Sequence, residues 1–293
     1  FPAPKDWKWK TSGTIPSYDW EVPPFWKMFV LNFQEWEQYE AAFYEISDHD
    51  AVMMATTSSS EGLAALFTDT KMEALEVIFG GLLERTRRYF VILITAHTKR
   101  EFNYRVKLLR AIMEKYEGED LIEVGLISPR PSHYAETIRN MLGGHAFRFS
   151  NCFQSTHGGM DTVAMAVKIA QVNAPIKNKY IEKGVIGDDQ GEGIWTTTYE
   201  GGHMAHLEVP TVYDGASKES CLGYAEYQDE CNEVDLKQAL GMPFFVVGDK
   251  VHDYYASRTM DYPKYLRRIK EAFDPNSVSD SSHYISATRR KEK

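Results

Sequence analysis

Tyr89-Phe90-Val91-Ile92-Leu93-Ile94-Thr95-Ala96 is a nearly unbroken apolar run, and residues 98–116 follow it with Phe102, Val106, Leu109, Ile112 and Met113 at helical spacing. The first stretch reads as a buried strand, the second as a helix with one apolar face. The same alternation extends outward from this pair. Upstream, 34–47 reads as a helix rich in Glu and aromatics, and 51–56 and 62–67 as strands joined by the turn Thr57-Ser58-Ser59-Ser60. A helix over 71–83 follows, its end weakened by Gly80-Gly81. Downstream, 146–153 reads as a strand, 160–183 as a long helix, Trp195–Tyr199 and 203–209 as strands, and 218–240 as a helix with Ser217 as N-cap. A strand over 244–247 and a last helix over Tyr262–Phe273 complete the series, the helix ended by Asp274-Pro275-Asn276 because Pro275 disfavours helix before it. Strands and helices at this spacing predict an α+β fold, with helices covering a mainly antiparallel sheet.

Around this body we divide the 293 residues into an extended aromatic and Pro-rich arm (1–27), a main domain (28–259), and a C-terminal helix and tail (260–293). The arm holds Trp7, Trp9, Trp20 and Trp26 with five prolines, a composition suited to packing aromatic side chains on a surface. Net charge is −9, from 42 acidic against 33 basic residues, which argues against a nucleic-acid scaffold. The basic tail Arg289-Arg290-Lys291-Glu292-Lys293 reads as a solvated terminus. No run of about 18 apolar residues predicts a membrane span, and Phe1-Pro2-Ala3-Pro4-Lys5-Asp6 lacks a signal-peptide pattern. Cys152, Cys221 and Cys231 form no C-x-x-C, and their odd number fits a reducing compartment, so a cytoplasmic location is expected. There is no G-x-G-x-x-G, no G-x-x-x-x-G-K-[ST] and no G-x-S-x-G. A nucleotide cofactor would need its phosphate cradle elsewhere.

Three segments carry chemistry. Tyr199-Glu200-Gly201-Gly202-His203-Met204-Ala205-His206-Leu207-Glu208 sets two glycines before a strand. Glycines there let the backbone come close to something flat or bulky. In an extended chain His206 and Glu208 share a face and His203 lies on the other. An imidazole so placed can act as acid/base or metal ligand; the plain alternative is a strand whose histidines bond backbone groups. The second segment, 244–259, runs from an apolar strand into a polar stretch with His252, Tyr254, Tyr255 and Arg258. Tyr hydroxyls and a guanidinium can hold a phenolate or carboxylate, while a polar loop with Arg258 paired to a surface acid is the structural alternative. The third, 265–280, is locally an amphipathic helix and a turn.

In order and spacing these segments resemble the C-terminal half of FAD-linked oxidases of the vanillyl alcohol oxidase and p-cresol methylhydroxylase type. Phe273-Asp274-Pro275-Asn276 matches the family's terminal signature, followed here by Ser277 where the family has Gly. Gly202-His203 is similar to the active-site strand of the hydroxy-acid branch, which carries a second histidine seven residues on, where this chain has Pro210. Tyr255 to Thr259 resembles the Tyr-Arg-Thr of the phenol-oxidising branch, with two residues inserted. The resemblance covers roughly 89–284, and nothing in 1–88 is similar to the family's FAD-binding module.

The resemblance implies the cap, or substrate, half of an FAD-dependent oxidoreductase, with a short C-terminal segment that packs on a partner flavin module. Its FAD would be held mainly by a partner chain or missing domain, in a hetero-oligomer whose substrate is a small hydroxylated, aromatic molecule. His203 is then the expected base or orienting group, with Arg258 and Tyr255 stabilising an anionic substrate oxygen. Tyr199, Glu200, His206, His252 and Asn276 line the substrate or cofactor. A metal is not expected; were one present, His203, His206 and Glu208 would be its ligands. The alternatives are a 2-hydroxy-acid dehydrogenase half with such a metal site, a non-catalytic assembly subunit, or a free-standing metal enzyme that adds His252 to those ligands.

Overall fold

Strand β3, Arg88–Ala96, lies between β1 (Phe25–Phe33) and β2 (Met54–Thr56) and pairs antiparallel with both. The computed structural model describes residues 23–57, 63–64, 67–82, 86, 88–130, 153–188, 194–240, 242–243, 248–276, 278–279 and 284–287. Beyond β1 lies the short β4 (Glu119–Asp120). Beyond β2 come β6 (Trp195–Tyr199), β7 (Met204–Tyr213), β5 (Phe153–Asp161) and β8 (Met242–Pro243), giving the order β4-β1-β3-β2-β6-β7-β5-β8. Every pair is antiparallel among the described residues, as the α+β expectation required.

Helices α1 (Trp36–Asp48), α3 (Lys99–Lys115) and α4 (Val163–Glu182) cover one face of this sheet; α2 (Lys71–Val77) lies apart from them. Alternation along the strands supplies that face. Phe29, Leu31 and Phe33 of β1, Phe90, Ile92 and Ile94 of β3, and Ala205, Leu207 and Val209 of β7 enter one core with Tyr39, Phe43 and Ile46 of α1, Leu109 and Ile112 of α3, and Ala166, Ile169 and Ala170 of α4. Phe90 is its centre, stacked on Tyr39 with centroids 4.2 Å apart and edge-on to Phe33 at 5.7 Å.

The opposite face is not uniform. Under β1, β3 and β2 it is also buried: Met28, Val30, Tyr89, Val91, Leu93 and Met54 pack with Leu63, Ala64, Ala74, Leu121 and Ile127. Burial on both sides is why the β3 sequence is apolar at consecutive positions instead of alternating. Under β6, β7 and β5 the same face is partly open, with Met160, Tyr199 and Met204 exposed.

Local sequence explains the helix ends. The Thr98, Thr162 and Ser217 side chains accept from the backbone N–H three residues on, capping α3, α4 and α5 (Lys218–Gln238). Helix α5 packs on α4, held by Asn173 Nδ2, which donates to both Asp235 oxygens at 3.3 Å. Lys177 Nζ, on the same face of α4, donates to the Pro210 carbonyl at 2.8 Å. Helix α5 ends with Ala239 in the left-handed region, φ 59°, and the Leu240 N–H returns to the Asp235 carbonyl. After it come α6 (Asp249–Tyr255), a tight turn (Ala256–Arg258) and α7 (Tyr262–Phe273).

Several expectations need correction. In the stretch 62–67, expected as a strand, Leu63 and Ala64 are helical instead: Phe67 N–H donates to their carbonyls, and the Thr68 hydroxyl donates to the Ala64 carbonyl. The polar stretch after Gly248 forms α6 rather than a loop. Strand β5 continues from Phe153 through Gly158-Gly159 to Asp161, so α4 starts three residues later than periodicity suggested. Strand β1 begins at Phe25, inside the segment read as arm. Residues 1–22, 146–152 and 244–247 lie outside the described residues.

Candidate functional site

The two-residue periodicity of β7 puts Met204, His206 and Glu208 on the sheet face away from the helices, because Ala205, Leu207 and Val209 point into the helical core. Register then selects their neighbours. Trp195 of β6 lies across from Glu208, Thr197 from His206 and Tyr199 from Met204. On the other side, β5 sets Gly158 across from Glu208 and Met160 across from His206. At Gly158 the strands run so close that a Cβ would fall 1.9 Å from the Leu207 carbonyl oxygen, so no side chain can stand there.

His206 is 3% exposed, and its Nε2 lies 2.8 Å from Glu208 Oε1. The Trp195 ring meets the His206 ring edge to face, with centroids 5.0 Å apart. Nε1 of Trp195 is buried without a hydrogen-bond partner among the described residues. Buried N–H groups are normally satisfied, so an unmet donor beside an imidazole–carboxylate pair marks a place for an acceptor atom. Thr196 Oγ1 donates to the His206 carbonyl at 2.5 Å and fixes the strand behind the ring. Met160, Tyr199 and Met204, 39%, 44% and 41% exposed, form an apolar rim. The hydrogen-bonded imidazole–carboxylate pair holds the ring in one orientation beside the Trp195 N–H.

The other expected site residues fall elsewhere. His203 is exposed in the turn before β7. Gly201 and Gly202 have φ 66° and 87°, and a Cβ on Gly202 would meet Ser47 Cβ at 3.0 Å; what these glycines approach is α1, not a ligand. Glu200 lies in the same turn. Tyr255 is 2% exposed and donates to the Asn232 carbonyl at 3.3 Å, with its hydroxyl pushed up by burial and by Asp235. Arg258 donates to the Leu236 carbonyl at 2.9 Å, at the C-terminal end of α5.

Helix α5 itself lies on the helical face, where Tyr224 stacks on Tyr213 of β7 with centroids 4.4 Å apart, an odd-numbered position pointing away from His206. Tyr255 and Arg258 therefore sit on the other side of the sheet from His206, and holding a substrate oxygen there has no support in their placement. His252 is 3% exposed and edge-on to Tyr284 at 4.9 Å; burial, then nearby Arg267, holds its imidazole below the ordinary value. Asn276 is exposed in the turn after α7. Burial and Asp235 push the Cys231 thiol up, so it is no nucleophile. Cys152 lies outside the described residues.

Among the described residues, no three His, Cys, Asp or Glu side chains come together as metal ligands. No helix there is long and apolar enough to cross a membrane. His206 was expected as a lining residue and Glu208 as a ligand only if a metal were present; Trp195 was not among the expected site residues. Its signal was available in register: an aromatic at the start of a strand, before the turn that leads into His206.

No protein-family model matches the sequence, and a search of curated proteins gives no match. Solved structures do match in fold. A p-cresol methylhydroxylase with substrate bound aligns with a TM-score of 0.59 at 13% identity, over 87% of this chain and 52% of that one. A 4-ethylphenol oxidase from Gulosibacter chungangensis, in complex with isoeugenol, gives 0.53 at 13% identity, over 88% and 53%. An alkyldihydroxyacetonephosphate synthase gives 0.50 at 11% identity, over 87% and 44%. The chain thus has the fold of part of these proteins and spans about half their length or less.

Proposed function

We propose that this chain is the substrate-covering half of an FAD-dependent oxidoreductase of the vanillyl alcohol oxidase type, acting on a small hydroxylated aromatic molecule. The observation that carries the reading is the His206–Glu208 pair, with the unmet Trp195 N–H beside it, on the open part of a sheet whose fold matches half of such proteins. The names of two neighbours, p-cresol methylhydroxylase and 4-ethylphenol oxidase, point to phenols, and an aromatic and thioether rim suits such a ring.

The residues present fit one part of the cofactor. Met160, Tyr199 and Met204 form a partly open apolar edge suited to a flat ring system. The sequence has no Gly-rich phosphate cradle, so the nucleotide portion would be held by a partner chain or by a domain outside this sequence. When bound, the flavin supplies the acceptor for the hydride leaving the substrate carbon. The chain's own residues handle the proton. The hydrogen-bonded His206–Glu208 pair takes it from the substrate hydroxyl, and Trp195 Nε1–H donates to the oxygen as it becomes negative. We assign the base role to His206 over His203, because His206 is buried and oriented by a carboxylate.

The test is purification of the native assembly, with the visible spectrum and mass analysis of what accompanies the chain. A flavin spectrum and a second chain support the reading. A colourless chain alone sinks it. A flavin complex whose turnover ignores His206→Gln would make this chain a non-catalytic assembly subunit.

A further inference from the structure

The eight strands fall into two blocks, β4-β1-β3-β2 and β6-β7-β5-β8. Inside the blocks the ladders are long: β1 pairs with β3, and β5 with β7, along the whole of β1 and β5. Between the blocks, among the described residues, β2 meets β6 through the pairing of Thr56 with Thr197 alone. The His206–Glu208 pair stands one strand from that joint, since Thr197 has Thr56 on one side and His206 on the other.

Threonines close the joint. The Thr196 carbonyl accepts from the Thr57 N–H at 3.0 Å and from the Thr56 hydroxyl at 3.0 Å, and the Thr197 hydroxyl donates to the Ala55 carbonyl at 3.3 Å. Toward its other neighbour Thr196 donates through Oγ1 to the His206 carbonyl at 2.5 Å. Thr56, Thr57 and Thr196 are buried, so water does not compete for these bonds. Thr196 thus grips the first block with its carbonyl and His206 with its hydroxyl, and Trp195 is its neighbour in the chain.

Direction decides what such a residue can do. Thr196 is paired with Leu207, which points into the helical core, whereas Trp195 is paired with Glu208 on the open face. The Thr196 side chain is therefore behind the sheet, out of reach of a molecule on the open face, and acts only through the backbone it holds. Its branching at Cβ leaves χ1 little freedom, so the hydroxyl keeps one direction.

Resting on the function proposed above, we infer that Thr196 is a positioning residue of this site: it ties the strand bearing His206, and Trp195 beside it in the chain, to the block that is buried on both faces. It thereby sets the separation at which imidazole and indole N–H meet one substrate oxygen. It touches neither substrate nor flavin. Groups that must converge on one atom lose up to about a hundredfold in rate when displaced by about an ångström.

The experiment compares parent, Thr196→Val and Thr196→Ser in the native complex. Valine keeps the branching and lacks the hydroxyl; serine keeps the hydroxyl. Mixing with a para-alkylphenol in the absence of oxygen gives the limiting rate of flavin bleaching and the half-saturating concentration. Thr196→Val is expected to bleach about ten- to a hundredfold slower, with half-saturation within about twofold of the parent, and Thr196→Ser to bleach at the parental rate. In the full chain by nitrogen-15 resonance, the His206 ring signals, identified by their loss in His206→Gln, are expected to move in Thr196→Val and to stay in Thr196→Ser. Parental bleaching by Thr196→Val overturns the inference. Equal slowing by valine and serine also overturns it, because packing and not the hydroxyl would then be responsible. Where Thr196→Val fails to fold by circular dichroism, Thr56→Val removes one bond to the Thr196 carbonyl and is expected to slow bleaching about threefold; a parental rate there overturns the inference. If no flavin accompanies the native chain, the function proposed above falls, and the His206 signals still decide: unmoved in Thr196→Val, they overturn the positioning role as well.

Discussion

Glu208→Gln probes the proposed chemistry with least disturbance to the fold. The amide keeps the shape of the side chain and a hydrogen-bonding group beside His206 Nε2, but removes the negative charge. In the parent protein that carboxylate lies 2.8 Å from an imidazole that is 3% exposed. A hydrogen bond to a charged group in such a place contributes about 1.5–3 kcal/mol. At about 1.4 kcal/mol per factor of ten, losing it as the pair takes the proton should slow proton abstraction roughly ten- to 150-fold. The assay is anaerobic mixing of the complex with a para-alkylphenol, followed by bleaching of the flavin absorption. Bleaching at the parental rate, with an unchanged melt, would refute the claim that Glu208 supports a proton acceptor.

Phe90→Ala removes the ring that Tyr39, Phe43 and Phe33 surround in the helical core, and should cost about 3–5 kcal/mol in a denaturant titration; a loss below about 1.5 kcal/mol would mean that this cluster does not anchor the sheet. Ala239→Gly relieves a left-handed residue at the end of α5, φ 59°, and should raise stability by about 1 kcal/mol, or Tm by roughly 2–4 °C; a lowered Tm would contradict the capping geometry. Asp249 should make α6 and α7 acid-sensitive. Burial pushes its carboxyl up, but bonds from Ser286 and the Arg267 guanidinium outweigh burial and leave it below the usual value. A depressed carboxyl contributes stability that is complete above the ordinary carboxylate range and lost as pH falls through the depressed value. Asp249→Asn should therefore flatten the acid limb of hydrogen-exchange protection in α7, and an unchanged limb would remove Asp249 as the cause.

Local signals were legible where one element's chemistry decides its structure. The apolar run at β3, the cap at Ser217, and Pro275 after Phe273 each act within a few residues, and the structure has those elements where the sequence put them. Strand β1 was obscured by prolines and tryptophans next to it, although Phe29, Leu31 and Phe33 alternate as a half-buried strand should. Gly158-Gly159 reads as a break, yet β5 passes through it because β7 comes too near for a side chain. For the site, alternation alone placed His206 and Glu208 on one face. The positions of Tyr255 and Arg258 depended on α6 packing against α5, a tertiary fact with no local mark. Trp195 joined His206 only through the β6–β7 register.

The account's central claim is that substrate is oxidised against the His206–Glu208 face while a partner chain or a domain outside this sequence holds the flavin. Its most direct test is a single-turnover reaction of the native complex, parent and His206→Gln side by side, with a para-alkylphenol in the absence of oxygen. The account predicts that the parent flavin bleaches and that the variant, still yellow and still assembled, bleaches slower by about two to four orders of magnitude. Equal rates in the two, or a native chain that brings no flavin with it, would contradict it.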